Sequence, residues 1–135
     1  MFPGELAPGM TYVPMADGDR AAFESSFAES IGAVDVAVRT VEVRGGSSSV
    51  GLRVVSMVLP GSVERRERSR VFAALDTLVP FSAPEQRRWG GNQVWVHGDD
   101  EVLSSSAVVV DGPRVIVVYG GLLEAERAVI ELLDV

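Results

Sequence analysis

The pattern of hydrophobic and polar positions is most pronounced in Ala107–Gly120, AVVVDGPRVIVVYG. Two β-branched runs, Ala107–Val110 and Arg114–Tyr119, flank Asp111-Gly112-Pro113, a compact turn signal, so the stretch predicts a β-hairpin. Both alternate sets of Val115–Tyr119 are apolar: Val115, Val117 and Tyr119 on one face, Ile116 and Val118 on the other. A strand with no polar face belongs in the middle of a sheet covered on both sides. Left at an edge, VIVVY would invite pairing between molecules, so the remaining chain must supply neighbouring strands and covering helices.

Three segments switch to a helical period. Phe23, Phe27 and Ile31 recur at i, i+4 and i+8 within Arg20–Ile31, with Asp17 or Asp19 as the cap and Gly32 as the stop. Val63–Val79 carries Val71, Leu75, Leu78 and Val79 on one stripe with Phe72 beside it, Ser62 as a cap and Pro80 as the stop. Its first half, ERRERSR, is nearly all charge; Glu64/Arg68 and Glu67/Arg70 have the spacing of intrahelical ion pairs. The last helix, Leu122–Leu133, presents Leu122, Ala125, Val129, Leu132 and Leu133.

The other apolar runs read as strands. Met10–Val13 is a short edge strand stopped by Pro14. Ala33–Arg44 slips phase: Val34, Val36 and Val38 share one face, Val41 and Val43 the other. Either a bulge near Arg39-Thr40 or a strand long enough to touch two layers accounts for this. Gly45-Gly46-Ser47-Ser48 is a hairpin loop with Ser49–Leu59 as the returning partner. Phe81–Gly91, punctuated by Pro and Gly, reads as a connection. Gln93–His97 places Val94 and Val96 opposite Trp95 and His97; Gly98-Asp99-Asp100 turns it, and Glu101–Val110 returns, with Ser104–Ser106 marking a solvated or edge segment. Residues 1–9 form a flexible arm, and 10–135 a single α+β domain. Its expected architecture is a largely antiparallel sheet of about five or six strands with about three helices packed on it, in the order (β)-α-β-β-α-β-β-β-α. Helices 1 and 3 lie on the sheet; helix 2 is peripheral at its charged start.

Charge and composition narrow the function classes. The net charge of -7 repels phosphate backbones, so nucleic acid is not an expected partner. All 12 basic residues are Arg; without Lys there is neither a Schiff-base amine nor a P-loop lysine. The absence of Cys removes disulfides, thiolate metal sites and thiol nucleophiles together. No apolar run reaches the ~20 residues of a membrane span, so this chain is not expected to insert in a membrane. The N-terminus has no signal-peptide pattern, which leaves a cytoplasmic protein or the soluble part of an anchored, extracytoplasmic one.

Candidate chemistry is sparse. His97 is the only histidine, with Asp99 and Asp100 beside it in a turn where Asp is expected for its own hydrogen bonding. The serines lie in no nucleophile-elbow context, and Gly120-Gly121, though between strand and helix, lacks the other glycines of a dinucleotide fingerprint. No catalytic, cofactor-binding or metal-binding residue is therefore assigned. One charge feature is uneven: Arg65, Arg66, Arg68, Arg70, Arg87 and Arg88 fall in a single helix–loop segment with Trp89. Arg and Trp are the residues of interaction surfaces. Set against this, charges of both signs on a helix are commonly a solvated face.

The element order resembles that of the Roadblock domains, dimerising regulators of small GTPases that run α-β-β-α-β-β-β-α. That resemblance covers Asp19 to Val135 and is one of topology; it implies a homodimer without an active site. The stretches GMTYVPM, GGNQVWV and DGPRVIVVYGG are similar in style to small extracytoplasmic domains of high-GC Gram-positive bacteria that follow an anchor helix. Three readings follow: a non-catalytic protein-interaction or sensory domain that binds a protein partner or itself, a Roadblock-like dimeric scaffold, and a small enzyme centred on His97 and nearby carboxylates.

Overall fold

The computed structural model describes residues 2, 4–45, 48–98, 105–121 and 123–133. Seven strands form one antiparallel sheet with three helices: β1 Met10–Val13, α1 Asp17–Ile31, β2 Asp35–Gly45, β3 Ser48–Val58, α2 Arg65–Leu75, β4 Glu85–Trp89, β5 Asn92–His97, β6 Ser106–Asp111, β7 Arg114–Tyr119 and α3 Leu123–Glu131. The strand order is β1-β2-β3-β7-β6-β5-β4. The valine-rich strand β7 is thus the middle one, paired to β3 by Val55↔Val117 and to β6 by Val108↔Val117. Its Val115, Ile116, Val117 and Val118 are all buried, because both faces of the sheet are covered.

Two cores result. One holds Phe27 and Ile31 of α1 and Val71 and Leu75 of α2 over Val38, Val55, Met57, Val108, Val115, Val117 and Trp95. The other holds Leu123, Val129 and Ile130 of α3 over Val41, Leu52, Val54, Val94, Val96, Ala107, Val109, Ile116 and Val118. Phe2 and Leu6 of the N-terminal arm pack against this second core, and the arm joins the sheet through Gly9. Each buried Val or Leu contributes ~1.5–3 kcal/mol, so these two cores are the main stabilisation of the fold.

The phase slip in β2 is a property of its length. Its register with β3 runs unbroken from Asp35↔Val58 to Gly45↔Ser48, with no bulge. Val38 therefore faces the α1/α2 core and Val41 the α3 core. An 11-residue strand in a sheet covered on both faces satisfies both phases.

Several expectations are corrected. Residues 85–89 are a strand rather than part of a connection; Gly90 (φ 57) and Gly91 (φ 85) close its hairpin with β5. Both central residues of such a turn need positive φ, which glycine adopts without cost. This edge strand adds one element to the expected order and brings the sheet to seven. Neither Asp17, Asp19 nor Ser62 is a cap: the N-cap positions are Ala16 and Glu64, neither making a side-chain cap bond. α2 ends at Leu75, and Thr77–Val79 continues as turns. Ser105 and Ser106 are fully buried beside or within an interior strand and are not a solvated segment. The hairpin tip at Gly46-Ser47, the Asp99-Asp100 turn and Ser104 lie outside the described residues.

Candidate functional site: a polar row and an arginine face

Partners directly opposite in an antiparallel ladder point to the same side of the sheet. Register therefore sets Thr40, Arg53, Tyr119, Ser106 and His97 in one row across β2, β3, β7, β6 and β5, on the side covered by α1 and α2. The next row on that side is Val38, Val55, Val117, Val108 and Trp95, all buried. One end of this face is thus polar where the adjoining rung is entirely apolar.

Arg53 is the charged member. Its guanidinium carbon lies 4.2 Å from the centre of the Phe23 ring of α1, a cation–π contact. The Tyr119 hydroxyl stands beside this guanidinium. Burial pushes the Tyr119 phenol up from its usual range, and the neighbouring guanidinium draws it part of the way back. The Arg53 Nε is buried with no acceptor among the described residues. Thr40, Gly51, Arg53, Tyr119 and Gly120 line a cavity of about 210 Å³. A second cavity, about 360 Å³, shares Thr40 and is walled by Tyr12, Val13, Pro14, Met15, Arg20, Val38 and Arg39.

At the other end of the row, His97 Nδ1 lies 2.7 Å from the Ser82 carbonyl oxygen. A carbonyl only accepts, so Nδ1 carries the hydrogen and Nε2 is the nitrogen left for other contacts. Ser106 stands directly opposite His97, yet its buried Oγ has no hydrogen-bond partner among the described residues. No Ser–His hydrogen bond is formed, so the geometry does not assemble an activated nucleophile. Asp99 and Asp100, the carboxylates nearest His97 in sequence, lie outside the described residues. Among the described residues no group of three or more His, Asp or Glu could hold a metal ion.

A buried carboxyl stands on the opposite side. Glu126 of α3 is fully buried, with Oε2 3.2 Å from the Gly121 N–H and 3.1 Å from Ser105 Oγ. The single Ser105 hydroxyl proton has a nearer acceptor, the Gly121 carbonyl at 2.7 Å. The contact between Ser105 and Glu126 is then filled by the acid's own proton. Burial pushes this carboxyl up to about 9, and its Oε1 has no partner, which a buried anion would not tolerate. Neutral Glu126 ties the entry of α3 to Ser105 just before β6.

The arginines divide between the two sides of the sheet. Arg68 stacks on Trp95, 4.4 Å from the ring centre, on the α1/α2 side. Gln86 is directly opposite Trp95, so Arg88, two residues on, shares that side. The Val63 N–H bonds the Gly112 carbonyl at the tip of the β6–β7 hairpin. This starts α2 at the sheet end toward which Trp89 and Asn92 also run. Arg65, Arg66, Arg70 and Arg88 are exposed, and Arg68 and Arg88 share the α1/α2 side of the sheet. Glu64, Arg65 and Arg66 line an open depression of about 730 Å³. Trp89 is buried in the α3 core beneath Arg127, and Arg87, on the same side, is paired to Glu85 at 2.8 Å.

Neither expected pair within α2, Glu64–Arg68 or Glu67–Arg70, is among the five ion pairs of the described residues. Arg53, Tyr119, Ser106 and Glu126 were not distinguished by sequence reasoning as site residues. Their signal is phase: Arg53 shares a strand face with Val55 and Met57, and Glu126 is three residues from Leu123 and Val129. Compared with known proteins, the chain matches no family model, no curated protein and no solved structure.

Proposed function

We propose that this chain is a non-catalytic interaction domain that docks an acidic segment of a protein partner on the arginine margin of α2 and β4. The observation that carries the reading is an imbalance. The chain has 19 carboxylates for 12 guanidiniums, yet Arg65, Arg66, Arg68, Arg70 and Arg88 have no ion-pair partner among the described residues. Arg20 has two, and Arg44, Arg87 and Arg127 have one each. Unpaired guanidiniums on α2 and β4 of an acidic molecule give it a local field that attracts acidic chains. Arg68, its guanidinium carbon 4.4 Å from the centre of the Trp95 ring, is held in place on that surface by the contact.

The test is fluorescence anisotropy of a labelled polyglutamate peptide titrated with the intact protein. Saturable binding that weakens with added salt, and is lost in the triple variant Arg65→Glu, Arg66→Glu, Arg70→Glu with an unchanged circular dichroism spectrum, is the expected result. Equal binding by the folded triple variant, or no binding by the parent at low salt, contradicts the proposal.

A further inference from the structure

We infer that the cavity at Arg53 is a binding site for a small monocarboxylic acid with a short apolar body, distinct from the arginine margin. A guanidinium at a core-phase position needs an anionic partner, and Arg53 has none among the described residues although the chain carries a carboxylate excess. Its other contacts are already in place: the Phe23 ring on one face and the Tyr119 hydroxyl at its edge. A single cation held over an aromatic ring matches one carboxylate.

Gly51 is the independent sign of a ligand. It stands two residues before Arg53 in β3 and lines the same cavity. No positive φ requires glycine there, and an added Cβ would meet nothing within 4 Å. Glycine in a strand interior is unfavourable, and with neither a backbone nor a packing reason it marks a place where something approaches the chain. The missing side chain leaves the cavity clear beside the guanidinium. Thr40 is the shared wall with the larger cavity, where Val13, Pro14, Met15 and Val38 offer apolar surface beside Tyr12, Arg20 and Arg39. The carboxylate pairs with Arg53, and the hydrocarbon part passes Thr40 toward those residues.

The intact protein, labelled with nitrogen-15, is titrated by NMR with hexanoate, acetate and inorganic phosphate at constant ionic strength. The expected result is saturable shifts centred on the Thr40, Gly51 and Gly120 amides, hexanoate binding more tightly than acetate, and phosphate more weakly than either. Gly51→Val is expected to lower hexanoate affinity at least tenfold while the melting temperature holds or rises, which a merely structural glycine would not do. Arg53→Lys keeps the charge and loses the fork, and is expected to weaken binding with the spectrum otherwise preserved. Absence of saturable shifts into the millimolar range, equal binding of phosphate, or hexanoate affinity unchanged in folded Gly51→Val would each overturn the inference.

Discussion

At the scale of single residues, Glu126 sets a pH dependence whose sign is fixed by its burial. Its carboxyl titrates near 9 in the fold and near 4.5 when free, so between those values the folded state holds a proton that the unfolded state has lost. Stability from this group is therefore greatest below about 4.5, falls as pH rises, and levels off above about 9. At pH 7 the gap is worth ~3 kcal/mol. Glu126→Gln keeps the shape and an oxygen to accept the Gly121 N–H, without the titration. Urea denaturation is expected to show it ~3–5 kcal/mol more stable than the parent at pH 8 and indistinguishable at pH 4. A parent and variant with parallel pH profiles would mean that Glu126 is charged or exposed. Gly98 gives a second test at this scale. Its φ is 101°, and an added Cβ would lie 2.8 Å from the Ser105 backbone. Gly98→Ala is expected to lose ~2 kcal/mol or more in the same assay.

At the scale of elements, β7 and β4 show what a sequence displays and what it hides. β7 was legible because its four central positions, Val115–Val118, are all buried and all β-branched. Val117 touches no solvent and lies in the α1/α2 core, so Val117→Asp strands an unpaired charge there. Such a charge costs several kcal/mol against a total stability of ~5–15 kcal/mol. Loss of the cooperative thermal transition by circular dichroism is the expected outcome. β4 was not legible: Glu85, Gln86, Arg87 and Arg88 are exposed and only Trp89 is buried, so no alternation survives. Charge on an edge strand is itself a device against edge-to-edge pairing, and it erases the pattern by which strands are recognised. The phase of β2 was read correctly, but only the two-sided cover explains it without a bulge.

At the scale of the whole molecule, the sheet is enclosed on both sides, and the groups available for recognition lie at its margins. The arginine margin was partly visible in sequence as a charge cluster. Its division by the sheet, with Trp89 and Arg87 on the α3 side, depends on β4 being a strand and could not be read from spacing. The polar row was invisible for a related reason: its members come from five strands and meet only through register. No helix among the described residues is long and apolar enough to cross a membrane.

The claim on which the rest depends is that β7 occupies the centre of a sheet covered on both sides. Native-state hydrogen exchange measures this directly, because amides in the best-protected strands open only with global unfolding. The amides of Val115–Val118 are expected to be among the slowest to exchange, with protection approaching the global stability, and those of the edge strands β1 and β4 much faster. Exchange of Val115–Val118 as fast as that of Met10–Val13 or Glu85–Arg88 would contradict the account.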